Sequence, residues 1–156
     1  MRPKRLIICT LSASMLMWGV ASAHMRQDEP QQSMRQSFFA LLGMTLHPMG
    51  EMVKGNIPWN AAQFASWADD LASAAQFSVE RAFGPGSEMG QTRAQPDIWL
   101  NMDDFNAKLA ALRTEASELA RVADAGDQDA IRAQFGKTAR TCKSCHDDYK
   151  ADDYLY

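Results

Sequence analysis

The sequence has few of the residues that build strands, metal clusters or membrane spans. Its 156 residues include 3 cysteines and 3 histidines, and β-branched residues are few among many alanines and methionines. The alternation of apolar and polar residues that is typical of half-exposed strands does not occur. No internal repeat or low-complexity tract is present either. These absences argue against a β-sheet fold and favour a helical domain.

Long apolar runs and basic clusters are also missing, except at the N-terminus. There, basic residues within positions 2–5, an apolar run over residues 6–20 and small residues at 21–23 are typical of a secretory signal peptide. The alternative is a retained membrane anchor, but the run is shorter than the ~18 residues that a membrane span needs. We therefore expect cleavage after Ala23, export to the periplasm, and a mature domain over residues 24–156 that does not cross a membrane.

The expected mature domain is acidic. It holds 13 basic and 19 acidic residues, which gives a net charge of −6. A domain with this charge and no basic cluster is a poor binder of nucleic acid. Its 133 residues are enough for one domain with a real core and too few for two. We therefore expect one domain with no nucleic-acid partner.

Apolar residues recur at alternating spacings of three and four along most of this domain, which is the period of an amphipathic α-helix. The first stripe lies between residue 31 and about residue 53, and Pro48 predicts a kink or an early end. Residues 55–59 are expected to form a turn. The second helix is expected to start near Asn60, with Gln63 as its capping partner, and to bury Phe64, Trp67, Leu71, Ala74 and Phe77.

Two further stripes lie in the C-terminal half. The third helix is expected to begin near Asp103 as its cap and to bury Phe105, Leu109, Leu112, Ala116, Leu119 and Ala123. Gly126 should end it, and Asp127 can begin a fourth helix with the stripe Ile131, Phe135, Thr138, Cys142, Cys145 and Tyr149. Residues 81–101 have no clear period and should form a loop that packs through Phe83, Ile98 and Trp99. Four amphipathic helices with mostly short connections predict an all-α, antiparallel four-helix bundle.

The segment Cys142-Lys143-Ser144-Cys145-His146 has the C-x-x-C-H spacing at which c-type haem is attached. Each thiol adds to one vinyl group of the haem and becomes a thioether. Because the two vinyl groups lie on neighbouring pyrrole rings, the sulfurs must be about one helical turn apart, as the i to i+3 spacing provides. His146 can then reach the iron from the same side. The motif predicts one covalently bound haem c per chain, with His146 as the proximal metal ligand.

Three other uses of the cysteine pair compete with haem. A zinc site would need two more ligands, for which the mature chain offers His24 and His47. A thioredoxin-like redox pair would need a βαβ context, which is absent. A structural disulfide would leave the adjacent histidine unexplained. The export signal favours haem, because c-type haem is attached outside the bacterial cytoplasm.

Four features resemble the cytochrome c′ family, the high-spin class II cytochromes c. Residues 35–39 resemble the opening of the family's first helix, and residues 53–58 resemble its first interhelical turn. Residues 82–88, followed by 96–99, resemble the family's long loop. Residues 123–127 then lead into the C-terminal C-x-x-C-H. In this order the features cover nearly the whole mature chain.

The resemblance implies a four-helix bundle, often a homodimer, with a five-coordinate haem iron that binds NO and CO and generally not O₂. It also implies haem contacts for five residues besides the C-x-x-C-H motif. Arg35 and Gln36 would lie near the haem propionates, Phe39 would line the distal face, and the rings of Phe83 and Phe105 would pack around the haem. By the same resemblance, Lys150 takes a basic position near the proximal histidine.

The sixth coordination position decides between two functions. Low-spin relatives place a methionine where Phe39 stands, and a methionine ligand makes an electron carrier. Phenylalanine has no lone pair for iron, so a gas-binding protein that sequesters NO in the periplasm is expected. No acid–base pair accompanies Phe39, which argues against an enzyme. The alternative is a periplasmic electron-transfer cytochrome with a redox partner protein.

Other candidate iron ligands crowd the first helix. They are expected to be core or interface residues: Met34, Met44, Met49, Met52 and His47. Of these, Met44 and Met52 lie off the haem stripe. This surplus of apolar residues predicts a homodimer formed through the first two helices.

Overall fold

The computed structural model describes residues 30–155. The α-helices are α1 (Pro30–Lys54), α2 (Ala61–Ala75), the one-turn α3 (Asp97–Leu100), α4 (Met102–Ala125) and α5 (Gln128–Tyr149). A 3₁₀ turn at Val79–Phe83 lies between α2 and α3. Within residues 30–155 there is no β-strand, and a single antiparallel bridge joins Ala94 to Lys150. The prediction of an all-α, antiparallel four-helix bundle is confirmed.

The expected signal peptide at residues 1–23 lies outside the described residues, and so does His24. Over the range 30–155, none of the helices is both long enough and apolar enough to span a membrane.

Helix α1 does not end at Pro48. The helix continues through this proline to Lys54, so of the two predicted outcomes, a kink or an early end, the early end does not occur. A proline inside a helix removes the hydrogen bond to the carbonyl four residues earlier, which here belongs to Met44. Met44 is an exposed residue of this helix.

The helix boundaries follow their local capping signals at three of four positions. The Asn60 side chain accepts a hydrogen bond from the Gln63 amide at 3.0 Å, and Asp127 accepts from the amides of residues 129 and 130. Gly126 ends α4 with a φ of 80°, a left-handed conformation that favours glycine. The prediction of Asp103 as a cap is wrong, because α4 begins one residue earlier and Asn101 takes the cap position without a side-chain bond.

The core follows the predicted stripe of α4 but not that of α2. All six predicted α4 residues are buried. In α2 the buried residues are Phe64, Ala68, Leu71 and Ala75. Trp67 and Ala74 are half-buried instead, and Phe77 lies beyond the end of the helix with 44% of its surface exposed. Since α2 packs on both α1 and α4, its buried face includes the small residues that allow close approach.

The order of helix contacts leaves one side of the bundle open. The close helix pairs are α1 with α2, α2 with α4, and α4 with α5. The connection from residue 79 to 100 packs on this assembly through the buried side chains of Val79, Phe83 and Ile98. A cavity lies where side chains of α1 face those of α4 and α5.

Candidate functional site

A mostly apolar cavity of about 390 Å³ lies between α1, α4 and α5. Its apolar lining includes Leu42 and Leu46 from α1, Leu109 and Leu112 from α4, and Ile98 from α3. Apolar side chains dominate the walls of sites that take small molecules and cofactors. The cavity also contains the whole reactive part of the C-x-x-C-H motif, since Cys142, Cys145 and His146 line it.

Helix α5 brings the motif residues to one face because they are spaced three and four positions apart. Cys142 and Cys145 are half-buried free thiols that pack against the core. Burial raises the pKa of the Cys142 thiol, and burial likewise raises the pKa of Cys145 to about 11. Burial lowers the pKa of the His146 imidazole, with smaller contributions from the positive charges of Lys150 and Arg93. A lowered pKa favours the neutral imidazole, the form in which histidine binds a metal.

Polar contacts from α4 hold this part of α5 in place. The Lys108 ammonium donates to the Ser144 hydroxyl at 3.1 Å and pairs with the Asp148 carboxylate at 2.8 Å. The Tyr149 hydroxyl donates to Asp104 at 2.7 Å, and this bond raises the pKa of Tyr149 to about 12. Lys108 and Tyr149 both line the cavity as well. The motif is thus anchored to α4 on both sides of Cys145.

The competing uses of the cysteine pair find no support in this arrangement. No group of three or more His, Cys, Asp or Glu side chains within residues 30–155 is placed to hold a metal ion. His47, one of the two further zinc ligands considered from the sequence, does not line the cavity, and the other, His24, lies outside the described residues. Cys142 and Cys145 are not bonded to each other.

An aromatic wall closes one side of the cavity. The ring centroids of Phe83 and Phe105 are 4.7 Å apart, and Phe105 meets Tyr149 edge-on at 5.5 Å. Behind them, Trp99 lies 5.6 Å from Phe83 and donates its indole N–H to the Gly84 carbonyl at 3.1 Å. Phe83 and Phe105 therefore lie where a flat apolar ligand in the cavity would contact them, and their predicted packing around the haem stays a prediction.

The wall contributed by α1 contains the predicted distal residue. Phe39 lines the cavity together with Leu42, Gly43 and Leu46, and 37% of its surface is exposed. Its ring meets that of Phe38 edge-on at 5.0 Å. An ideal Cβ built on Gly43 would have no atom within 4 Å, so the cavity has open space beside this helix. Phe39 is thus at the edge of the space that a cofactor would fill.

Arg35 and Gln36 line the cavity, and both bind the long loop. The buried Arg35 guanidinium donates to the carbonyl oxygens of Ala82 at 2.6 Å and Ser87 at 2.9 Å. It also lies 5.1 Å from the centre of the Phe83 ring. Gln36 donates to the Gln91 carbonyl at 3.4 Å. Arg35 therefore positions the aromatic wall, and the propionate contacts implied by the resemblance stay predictions.

Several cavity residues had no signal in the sequence. Arg93 and Tyr154 line the cavity from the loop and from the segment after α5, two regions without periodicity. Lys150, which the resemblance placed near His146, lines it too. Tyr149 belongs to the stripe predicted for the fourth helix, so its place on the helix follows from the sequence, but its contact with the cavity does not. Tertiary contact alone brings Arg93 and Tyr154 to the site.

The donor set fits a covalently attached haem. Two thiols one turn apart and an adjacent imidazole line a cavity whose other walls are aliphatic and aromatic. Such walls suit a flat apolar ring with polar groups at one edge, and Cys142, Cys145 and His146 would hold it.

Comparisons with known proteins agree with this fit. Residues 31–150 match the family model described as Cytochrome C'. Cytochrome c' from Alcaligenes xylosoxydans xylosoxydans is 38% identical over 116 residues, which are 74% of this chain and 89% of the relative. The structure of cytochrome c prime from Shewanella frigidimarina aligns with a TM-score of 0.77 at 35% identity, covering 83% of this chain and 100% of that one.

Two solved structures of variants from Alcaligenes xylosoxidans are also similar. The nitric oxide complex of one variant has a TM-score of 0.73, and the carbon monoxide-bound form of another has 0.72. Each is 35% identical to this chain and covers 83% of it and 100% of its own length. The chain therefore belongs to the cytochrome c′ family, whose members carry covalently attached haem c.

Proposed function

We propose that this chain is a periplasmic gas-binding haem protein with a five-coordinate iron that sequesters NO and also binds CO. In this proposal, Cys142 and Cys145 form the two thioethers and His146 is the axial ligand. Haem, when bound, supplies an iron atom that can take a diatomic ligand opposite its protein ligand. The similar structures that hold nitric oxide and carbon monoxide support the choice of ligands.

The observation that carries the proposal is the composition of the cavity wall. Among the described residues that line the cavity, His146 has the one imidazole, and there is no methionine thioether. Met49 and Met52 are buried in the core outside this lining, and Met44 is exposed. The described lining therefore contains no methionine that could occupy the sixth coordination position of the iron, as it does in an electron carrier.

The residues of α1 would select among gases. Phe39 comes from a different helix than His146, and we place it on the opposite side of the haem. Its ring and the neighbouring Leu42 and Leu46 offer no hydrogen-bond donor, while the Arg35 and Gln36 side chains donate to loop carbonyls. Such a donor stabilises bound O₂, so its absence disfavours O₂, whereas binding of NO and CO does not depend on one. The same wall holds no acid–base pair, so we assign no enzymatic activity.

Spectra of the ferrous holoprotein test the proposed selectivity. Addition of CO and of NO should each shift the Soret band, whereas air should oxidise the iron without a stable O₂ complex. Ferrous protein that fails to bind CO would contradict the open position. A stable O₂ complex would contradict the apolar distal wall. Export is tested separately, by N-terminal sequencing of the purified protein, which should begin at His24.

We also propose that the protein is a homodimer formed through α1 and α2. Leu41 and Met44 lie one turn apart on α1 and are 55% and 73% exposed. The exposed Phe77 lies close to α1, because its ring centroid is 6.3 Å from that of Phe38. The expectation that Met52 adds to this surface is wrong, because Met52 is buried. Exposed apolar patches on a helix mark interaction surfaces.

Sedimentation velocity at high micromolar concentration should show a dimer. Met44→Glu should shift the protein towards monomer, because it places a charge on the apolar face. The matched control is Met89→Glu, at an exposed methionine in the long loop. A monomeric wild-type protein would contradict the proposed homodimer.

A further inference from the structure

The segment that follows α5 folds back on the loop beside the cavity. The family model matches residues 31–150, and residues 151–155 follow the end of that match. The Ala151 amide donates to the Arg93 carbonyl at 2.8 Å, and the Leu155 amide donates to the Thr92 carbonyl at 2.9 Å. The short segment is therefore paired at both of its ends. We call residues 151–155 the C-terminal strap.

Arg93 fastens the strap from the other side. Its Nε donates to the Ala151 carbonyl at 2.9 Å, and its terminal nitrogen also donates to the Asp152 carbonyl. Together with the two amide bonds, these contacts tie the strap to residues 92–93 by four hydrogen bonds. Since Arg93 itself lines the cavity, the fastening lies at the wall of the site.

The strap follows directly on the last turn of α5, the turn that carries His146. The Lys150 amide donates to the His146 carbonyl at 3.1 Å, and the Gln95 amide donates to the Tyr149 carbonyl at 3.0 Å. The loop and the strap thus run along the last turn of α5, directly after the axial histidine. From this position Tyr154 contributes to the lining of the same cavity as His146.

We propose that the C-terminal strap covers the His146 side of the haem cavity and that Tyr154 is a specificity-determining residue, limiting how readily His146 leaves the iron when NO binds. This inference rests on the proposed function. If NO binding to the haem weakened the bond between the iron and His146, the imidazole would need room to move away. Tyr154 lines the same cavity as His146, so its ring would take up part of that room and slow the movement.

The strap can act as a cover that opens. Ala151 is its buried residue, whereas Tyr154 is 59% exposed. Few buried apolar contacts and exposed backbone hydrogen bonds are typical of segments that open locally without global unfolding. The cover is thus held mainly by its hydrogen bonds to residues 92–93.

Stopped-flow mixing of the ferrous holoprotein with NO tests the role of Tyr154. We expect conversion to the five-coordinate NO spectrum to be about tenfold faster in Tyr154→Ala than in wild type, which corresponds to ~1.4 kcal/mol of barrier. Tyr154→Phe should keep the slow rate, because the ring remains. Leu155→Ala is the matched control, since Leu155 lies on the strap but does not line the cavity. Equal rates in Tyr154→Ala and Leu155→Ala, or no loss of His146 in either protein, would overturn the proposal.

A second measurement tests the placement of the strap independently of NO. In the ferric holoprotein, the ring signals of isotope-labelled Tyr154 should be shifted and broadened by the paramagnetic iron. Because Arg93 fastens the strap, Arg93→Gln should accelerate solvent exchange of the amides of Ala151 and Leu155 relative to wild type. Unshifted Tyr154 signals in a protein that binds NO would overturn the strap proposal alone. Shifted signals in a low-spin six-coordinate protein would instead contradict the proposed function and leave the placement supported.

Discussion

Replacement of both Cys142 and Cys145 with alanine is expected to abolish covalent attachment of haem. Each thioether needs its sulfur, and both thiols line the cavity from one face of α5. Purified protein run on a denaturing gel should show normal haem staining for wild type and none for the double variant. Single variants should show weakened staining, because one thioether remains possible.

The same variants should accumulate poorly. A ligand that binds the folded state stabilises it by mass action, and covalent attachment makes this effect permanent. Without haem, the apolar cavity of about 390 Å³ would remain between the helices, and empty apolar space destabilises a core. The matched control is Lys143→Ala, because Lys143 lies inside the motif but is exposed and pairs with Asp147. Normal haem staining in the double cysteine variant would contradict the assignment of Cys142 and Cys145 as the attachment residues.

Replacement of Phe39 with alanine is expected to accelerate CO binding to the ferrous protein. A ligand that enters from the α1 side must displace the Phe39 ring, and repacking of this kind costs about 1 kcal/mol or more. That barrier corresponds to a rate increase of about five- to tenfold when the ring is removed. Stopped-flow absorbance after mixing with CO measures the rate directly.

The control for this experiment is another phenylalanine on the same side of the molecule. Phe77 is 44% exposed and contacts Phe38, as Phe39 does, but it does not line the cavity. Phe77→Ala should therefore leave the CO rate unchanged. Equal CO-binding rates in Phe39→Ala and wild type would show that the Phe39 ring does not limit the entry of CO. An open coordination position on the iron would still be possible in that case.

Local signals in the sequence predict the helices of this protein well. The α4 stripe is buried at all six predicted positions, because a helix packed on two neighbours buries a continuous face. Asn60, Gly126 and Asp127 act at helix ends as their side chains and backbone preferences predict. The failures at Asp103 and Phe77 are shifts at helix ends, where competing caps and the chain after α2 decide the boundary.

The cavity could be predicted only in part. Cys142, Cys145 and His146 lie within five consecutive residues, so their spacing alone indicates their chemistry. Arg93 and Tyr154 reach the site through backbone pairing between the loop and the C-terminal strap, and no periodicity in the sequence indicates that pairing. The Arg35 guanidinium donates to carbonyl oxygens of residues about 50 positions later. Long-range contacts of this kind arise from the tertiary fold and leave no mark in a local pattern.

The ferric spectrum at neutral pH tests most directly whether the iron has an open coordination position. Electronic absorption and electron paramagnetic resonance of the purified wild-type protein give the spin state and the number of ligands. We expect a high-spin, five-coordinate iron without the near-infrared band of a methionine ligand, because no thioether lines the described cavity. A low-spin, six-coordinate spectrum would contradict the gas-binding function and would favour an electron carrier.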